Sequence, residues 1–405
     1  MSKKVLIIGF VWPEPTSSAA GKRMLQLIRS FLNFDYKVIF ATQAQESEFA
    51  FDLNKLSVES FHIEVNNSSF DLFLNKIQPD IVLFDRFIME EQFGWRVAEN
   101  CPNALRILDT EDLHFLRKER QQKINQTIEK ETFSDVAKRE IASIYRSDVS
   151  LIISEVEMDI LRHSYQVPQE RLFYLPMWSE EASLNKTYSE RRDFMFIGNF
   201  LHEPNWDCVR YLKSEIWPSI RKKLPNAELH IYGAYPTEKA FQLTNQRDGF
   251  IIKGRAEDVN EVCQNYRIML APLRFGAGVK GKFIDAMRNG LPSFTTEIGA
   301  ESMASINEWP GFVSDNIQDL ITYSVAIYSD DQKWKFLNNQ AIKIHDQIFV
   351  NQDWERIFIE KIQFYYSNLP QVRKQNFIGA MLMHHLHQGT KFMSKWIELK
   401  NQVTN

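Results

Sequence analysis

The chain has 405 residues, with 48 Lys and Arg against 52 Asp and Glu, for a net charge of −4. Charged residues make up 25% and hydrophobic ones 44%. That balance fits a globular protein of two or three domains and lacks the basic excess that a nucleic-acid partner selects. Cys101, Cys208 and Cys263 are far apart and form no CxxC pair, which argues against a zinc ribbon or disulfide framework and fits a reducing, cytoplasmic setting.

The N-terminus reads Met1-Ser2-Lys3-Lys4 and then an apolar run over 5–11 that stops at Trp12-Pro13-Glu14-Pro15. The run is short and has no small-residue cleavage site, so it reads as a buried strand rather than a signal peptide. No stretch is long and apolar enough to span a bilayer. Strands are predicted over 4–11, 36–42, 58–65, 80–85, 105–109 and 149–154, with helices such as 20–32, 70–77 and 133–145 between them. Most of these strands are continuous apolar runs, as parallel strands covered on both faces should be. The pattern breaks over 176–192, a polar stretch without apolar periodicity, and then restarts. Strands over 194–198, 228–233, 249–254, 267–272 and 293–296 alternate with helices over 206–223, 257–265 and 279–289. Two doubly wound α/β domains follow, and their strand ends should face a shared cleft. Beyond 316 the chain reads as helical. Trp354, Phe358, Ile362 and Tyr366 share one helix face, and an apolar and basic tail follows Pro370.

The segment 271–292 carries the most chemistry: Ala-Pro-Leu-Arg-Phe-Gly-Ala-Gly-Val-Lys-Gly-Lys-Phe-Ile-Asp-Ala-Met-Arg-Asn-Gly-Leu-Pro. A strand runs into a loop with Gly276, Gly278 and Gly281 and then into a helix. Glycines let a backbone approach a ligand, and a helix N-terminus offers N–H groups to an anion. Arg274, Lys280 and Lys282 cluster there, where cations oppose the helix dipole; a diphosphate would explain them. Lys282 and Asp285 are three apart on one helix face, a cation for phosphate beside a carboxylate for ribose hydroxyls. The competing reading is an exposed helix start whose Lys282–Asp285 pair is a surface salt bridge.

This segment resembles the donor-site signature of the retaining GT-B glycosyltransferases of the large group-one, family four-like superfamily. In these a Glu-Ala-Met-x-x-Gly-x-Pro run follows a glycine-rich loop. Phe196-Ile-Gly-Asn-Phe with Pro204-Asn205, Leu229-His-Ile-Tyr-Gly233, Phe250-Ile-Ile-Lys-Gly254 and the run Asp148–Glu155 resemble other family segments in the same order. The resemblance implies two Rossmann-like domains facing across a cleft with a helical C-terminal extension. It divides the chain into an acceptor-side domain (1–176), a linker (177–192), a donor domain (193–352), a crossing helix (353–370) and an amphipathic tail (371–405). It implies a nucleotide-sugar donor held by Gly276, Gly278, Lys280, Lys282, Asp285, Gly198, Arg255 and Gly21, a glycan or lipid-linked acceptor, and no metal or other cofactor. Many members carry two glutamates eight apart; this chain has Ala277 and Asp285 there, so backbone N–H groups over 275–278 would have to meet the donor sugar. Those departures are compatible with a non-catalytic binding or scaffold protein on the same fold; a GT-B sugar-nucleotide epimerase is the other competing reading.

In the first domain, the loop from Val11 to Arg23 contains Gly21 and resembles the family's interdomain loop, while Ser17 or Ser18 also suits a helix cap. Asp109-Thr-Glu111-Asp112-Leu-His114 ends a strand and resembles the family's Thr-x-His-Asp stretch, with Glu111 where His is usual. Glu111 and Asp112 are assigned either to the sugars or to structural capping. No nucleophile is implied; Lys282, Arg274 and Lys280 would stabilise the departing diphosphate. His384, His385 and His387 in the tail lie on different sides of a helix and are not expected to bind a metal. The tail's Phe377, Met381, Phe392, Trp396 and Leu399, with Arg373, Lys374, Lys391, Lys395 and Lys400, suit an amphipathic helix that lies either on the protein or on an anionic membrane.

Overall fold

The computed structural model describes residues 2–127, 133–182 and 186–404, without the side chains of 387, 388 and 402–404. The first half contributes β1 (Lys4–Gly9), β2 (Lys37–Thr42), β3 (Glu59–His62), β4 (Ile81–Asp85), β5 (Leu105–Asp109), β6 (Val149–Ile152) and β7 (Leu172–Tyr174). The second contributes β8 (Arg192–Ile197), β9 (Leu229–Tyr232), β10 (Phe250–Gly254), β11 (Tyr266–Ala271), β12 (Ser293–Thr295) and β13 (Gly311–Val313). They form two parallel sheets, ordered β3-β2-β1-β4-β5-β6-β7 and β10-β9-β8-β11-β12-β13. Strand order reverses between β1 and β4 in one sheet and between β8 and β11 in the other. Crevices open outside the carboxyl ends at such points.

The apolar runs are buried because helices cover both faces. Val5, Leu6, Ile7 and Ile8 of β1 are fully buried, and Leu6 and Ile8 join one core while Val5 and Ile7 join another. The second sheet has its own core around Phe194, Phe196, Ile231, Leu270 and Phe283. Helix Trp354–Ser367 packs on the first domain. Its Phe358, Ile359, Ile362 and Tyr365 are buried with Phe31 and Leu175, and the Phe31 and Phe358 rings meet edge-on at 5.2 Å.

Two features differ from the sequence reading. The single helix predicted over 206–223 is two helices, Glu203–Tyr211 and Trp217–Lys223, joined by a π turn at Leu212–Ile216. Pro218 lacks the N–H that would bond the Ser214 carbonyl, which favours such a break. The edge strands β7 and β13 were not predicted; at three residues each they are too short to carry a period.

The tail is one long helix, Phe377–Thr404, seated against helices Arg86–Asn100 and Asp135–Arg146. At its start Asn376 donates to the Tyr145 carbonyl at 2.7 Å, and a Cβ on Gly379 would lie 2.1 Å from that oxygen. Further along, Ser394 is buried, and Glu398 accepts from the Ser68 N–H at 2.9 Å and stands 3.8 Å from Arg96. Among the described residues no helix is long and apolar enough to cross a membrane.

Candidate functional site

The two sets of strand ends meet around the glycine loop that follows β11. Gly278 has φ +62°, and a Cβ there would come within 2.8 Å of the Asp112 Cβ. Only glycine combines that backbone with so close a neighbour. The first domain clasps the loop: the Gly278 N–H donates to Glu157 Oε1 at 2.8 Å, and Arg120 donates to the Gly276 carbonyl at 2.8 Å. Arg120 also grips Glu301 through both carboxylate oxygens at 2.8 and 2.7 Å. A Cβ on Gly281 would lie 2.7 Å from that of Ala19. One of the N–H groups expected to face a donor sugar is therefore held by Glu157 in this closed arrangement.

The helix after the loop is Gly281–Arg288, with Lys280 at its N-cap position. Lys280 is buried; its Nζ donates to the Gly278 carbonyl at 2.9 Å and stands 3.9 Å from Glu301. Lys282 is half-buried rather than on an exposed helix start. Its Nζ donates to Asn205 Oδ1 at 2.6 Å and lies 4.4 Å above the centre of the Phe196 ring. Burial pushes both ammonium groups down to about 8. Gly198 serves Lys282 indirectly, since a Cβ there would meet the Asn205 amide carbon at 2.5 Å. The expected Lys282–Asp285 pair does not form. Asp285 is held across the cleft by Lys22, at 2.7 and 2.8 Å. Arg274 is also placed differently from the sequence expectation. Its Nε donates to Asp207 Oδ2 at 2.9 Å and its guanidinium lies over the Tyr211 ring. Arg274 is thus held on Asp207 while Lys282 is held on Asn205 of the same helix, Glu203–Tyr211. Arg255 packs over the Phe49 ring of the first domain at 4.7 Å. Gly21, in the first turn of helix Ala19–Asn33, allows that helix to approach the 11–18 loop, where a Cβ would lie 2.4 Å from the Glu14 backbone. Ser18 is the cap, accepting from the Gly21 N–H at 3.0 Å.

The opposite wall is acidic. Asp85, Asp109, Glu111, Asp112 and Glu157 gather at the ends of β4, β5 and β6. Buried Arg23 bonds both oxygens of Asp109 at 3.0 Å and the Leu175 carbonyl at 2.9 Å. Glu111 has φ +61°, strained for a residue with a side chain. Burial, with Asp109 nearby, pushes it up to about 8. Burial, with Asp112 nearby, does the same to Glu157. Burial would also raise Asp112, but Arg117, His114 and His202 outweigh it and hold the group at about 2. His114 and His202 are themselves pushed down to about 4 by burial. Glu111 Oε1, Glu157 Oε2 and Asp85 Oδ1 are buried without a hydrogen bond, although Arg86 stands 3.8 Å from Asp85 Oδ1. Near neutral pH this wall offers two protonated carboxyls that can donate or accept, a charged Asp112 that accepts, and two neutral imidazoles. Such a mixture suits several hydroxyl groups. Left-handed backbone recurs at points where the domains meet: besides Glu111, Tyr235 has φ +57° and donates to Glu14, and Ser302 has φ +59° and bonds Ser154.

Sequence reasoning missed Lys22, Asn205, Glu157, Arg120, Glu301 and His202. Asn205 and Lys22 lie within segments that the family resemblance covers, but only Glu157 left a local signal of its own. Ser154-x-x-Glu157 is a capping-box spacing, and Ser154 does cap the Glu157 N–H at 3.2 Å. The Glu157 carboxylate, however, goes to the N–H groups of Leu113 and Gly278. In the tail, the His384 and His385 rings are 5.8 Å apart and both residues are exposed; the side chain of His387 lies outside the described residues. Among the described residues no group of three or more His, Cys, Asp or Glu side chains could hold a metal ion.

Comparison with known proteins places this geometry in a context. Residues 191–330 match the family described as "Glycosyl transferases group 1". An uncharacterised 44.6 kDa protein of the cps region of Klebsiella pneumoniae is 25% identical over 199 residues, 47% of this chain and 49% of that one. The match thus spans about half the length of that curated relative. Among solved structures, sucrose-phosphate synthase from Thermosynechococcus elongatus superposes with a TM-score of 0.68 at 13% identity, over 91% of this chain and 100% of the other. TarM from S. aureus, as a G117R mutant bound to fondaparinux, alpha-GlcNAc-glycerol and UDP, gives 0.66 at 10% identity over 90% and 99%. The chain therefore has the two-domain GT-B fold of these glycosyltransferases, with a stretch in its second domain that matches the group 1 family.

Proposed function

We propose that the chain is a glycosyltransferase moving a sugar from a nucleoside-diphosphate donor to a glycan or lipid-linked acceptor. The reading places it in polysaccharide or glycoconjugate biosynthesis, in the cytoplasm with peripheral contact at the inner face of the membrane. The anomeric configuration is retained, and no metal ion takes part. The observation that carries the reading is the Lys282 ammonium. It is half-buried at the start of a helix, beside a glycine loop, and bonded to a neutral amide; among the described residues it has no carboxylate partner. A diphosphate supplies the missing charge and accepts the helix N–H groups as well. In this reading Lys282, Lys280 and the helix dipole stabilise the departing diphosphate, and Asp285 turns from Lys22 to the ribose hydroxyls. Glu111, Asp112 and Glu157 meet sugar hydroxyls from the other wall.

The test is calorimetry with UDP, GDP, dTDP and ADP, followed by turnover of the matching sugar donors with and without saccharide or lipid-linked acceptors. Acceptor-dependent transfer, with the product anomer matching the donor's, supports the reading. Release of free sugar without acceptor dependence would replace it with an epimerase or hydrolase. The Lys22–Asp285 pair favours a second reading, a closed binding protein without turnover; nucleotide binding with no transfer or hydrolysis would select it.

A further inference from the structure

The C-terminal helix has two working faces, and only one is turned to the protein. Ser394, Glu398 and Gly379 face helices Arg86–Asn100 and Asp135–Arg146, through the buried hydroxyl, the Ser68 and Arg96 contacts and the close approach to Tyr145. On the far side lie Ile378, Met381, Phe392, Trp396 and Leu399, which fall within about 60° of one another on a helical projection. They are exposed: Phe392 and Trp396 at 59% and Leu399 at 61%. Phe377, at 78%, joins them at the helix start. They form two patches on one face of a 28-residue helix, one at Phe377–Met381 and a larger one at Phe392–Leu399, with exposed His385 between them; the larger patch is more than solvent-facing helices ordinarily carry.

The charges beside the patches have one sign. Residues 371–405 contain Arg373, Lys374, Lys391, Lys395 and Lys400 but a single acid, Glu398; Arg373 is paired with Asp148 and Lys391 with Glu99 of the first domain, and the Glu398 carboxylate is turned inward to Ser68 and Arg96. Lys374 and Lys395 are exposed. A second copy of the chain docked on this face would set lysines against lysines with no acid to receive them. An anionic lipid surface answers both features: it buries the apolar patches at the acyl boundary and neutralises the lysines, whose stems run along apolar surface to reach headgroups.

We propose that the outward face of helix Phe377–Thr404, centred on Phe392, Trp396 and Leu399, is a docking surface for an anionic membrane. This deepens the membrane contact of the proposed function and rests on that part of the reading alone. The inward face fixes the helix to the first domain, so deleting the tail would confuse lost packing with lost docking, and outward point variants are the proper probe. The full chain, Phe392→Ser/Trp396→Ser/Leu399→Ser and Lys374→Glu/Lys395→Glu are sedimented with vesicles containing phosphatidylglycerol and with vesicles of phosphatidylcholine alone. The unmodified protein should favour the anionic vesicles, and each variant should lose at least about tenfold of that binding, with melting temperature and UDP affinity unchanged. An unmodified protein that stays in the supernatant, or variants that bind as well as it does, overturns the proposal. Concentration-dependent dimers that the apolar variant abolishes, with no vesicle binding, would assign the face to a second copy instead. The vesicle assay contains no nucleotide, so the docking surface and the donor site can fail separately.

Discussion

The two walls of the cleft bind by different means. The second domain presents a contiguous run of eleven residues, Phe275 to Asp285, in which glycine, lysine and a helix start succeed one another. The first domain presents Asp85, Asp109, Glu111, Asp112 and Glu157, delivered by the ends of three strands and balanced by Arg23, Arg86 and Arg117. A diphosphate is compact and strongly charged, so one loop and one helix N-terminus can answer it. A sugar is a ring of weak donors and acceptors, which needs groups from several directions. The first wall can lose one member and keep some affinity for hydroxyls; the second depends on two ammonium groups.

The largest expected effect therefore falls on the second wall. Lys282→Ala should lower kcat/KM for the donor by about 2–4 kcal/mol, the loss that follows removal of one preorganised donor to a developing anion. Melting temperature should drop only modestly, because the lost bond to Asn205 is a single one at a half-buried site. Steady-state kinetics on the purified variant decide it; an unchanged kcat/KM removes Lys282 from the site.

The comparison sharpens with pH. Lys280 and Lys282 are pushed down to about 8 by burial, so both are charged below that value and lose their protons as pH rises through it. UDP affinity should be flat up to neutral pH and fall above about 8, by up to roughly tenfold per unit for each lysine. Lys282→Arg should move part of that fall to higher pH, since a guanidinium stays charged. The stability sign is the reverse. Between about 8 and the usual lysine value the unfolded chain holds more protons than the folded one, so these two groups favour folding more as pH rises. Lost affinity above pH 8 therefore does not come from unfolding at these lysines. Glu111 and Glu157, pushed up to about 8, act oppositely: their contribution to stability is lost as pH rises from the ordinary carboxylate range through 8. Calorimetry and thermal melts over the same pH series separate the two walls.

A smaller effect is expected where the walls touch. If ribose competes with Lys22 for Asp285, Lys22→Ala should tighten UDP binding by roughly 0.5–1 kcal/mol, the worth of a partly exposed ion pair; Asp285→Asn should weaken it. Weaker binding in Lys22→Ala would mean that Lys22 contacts the nucleotide itself.

The walls also differed in how legible they were. Continuous apolar runs such as Val5–Ile8 and Val82–Phe84 announce doubly covered parallel strands, because burial on both faces leaves no alternation to misread. The glycine loop was readable for a similar reason: its chemistry is consecutive in sequence. Glu157 and Asp112 meet Gly278 only after two domains close, and Asn205 reaches Lys282 from 77 residues away. No local period or spacing encodes such contacts. The tail was legible as amphipathic, but the sequence left open whether it lies on the protein or on a membrane. The structure shows an inward face packed on the first domain and a second apolar face left outside.

The smallest expected effect is the absence of one. Activity should survive excess EDTA. In a transferase of this design the developing charge on the diphosphate must meet positive charge at the moment the glycosidic bond to phosphate breaks. A divalent ion is one supplier; the second wall offers another in the ammonium groups of Lys280 and Lys282 and the N–H groups at the start of helix Gly281–Arg288. The acids of the second wall already have basic partners. Asp285 is paired with Lys22, Asp207 with Arg274 and Glu301 with Arg120, each at hydrogen-bonding distance. Adding magnesium or manganese to chelated enzyme should leave kcat within about twofold, the scatter expected of a screening effect alone. An absolute requirement for either ion would mean that the lysines do not suffice, and the division of labour between the walls would have to be redrawn around a metal bridging the diphosphate.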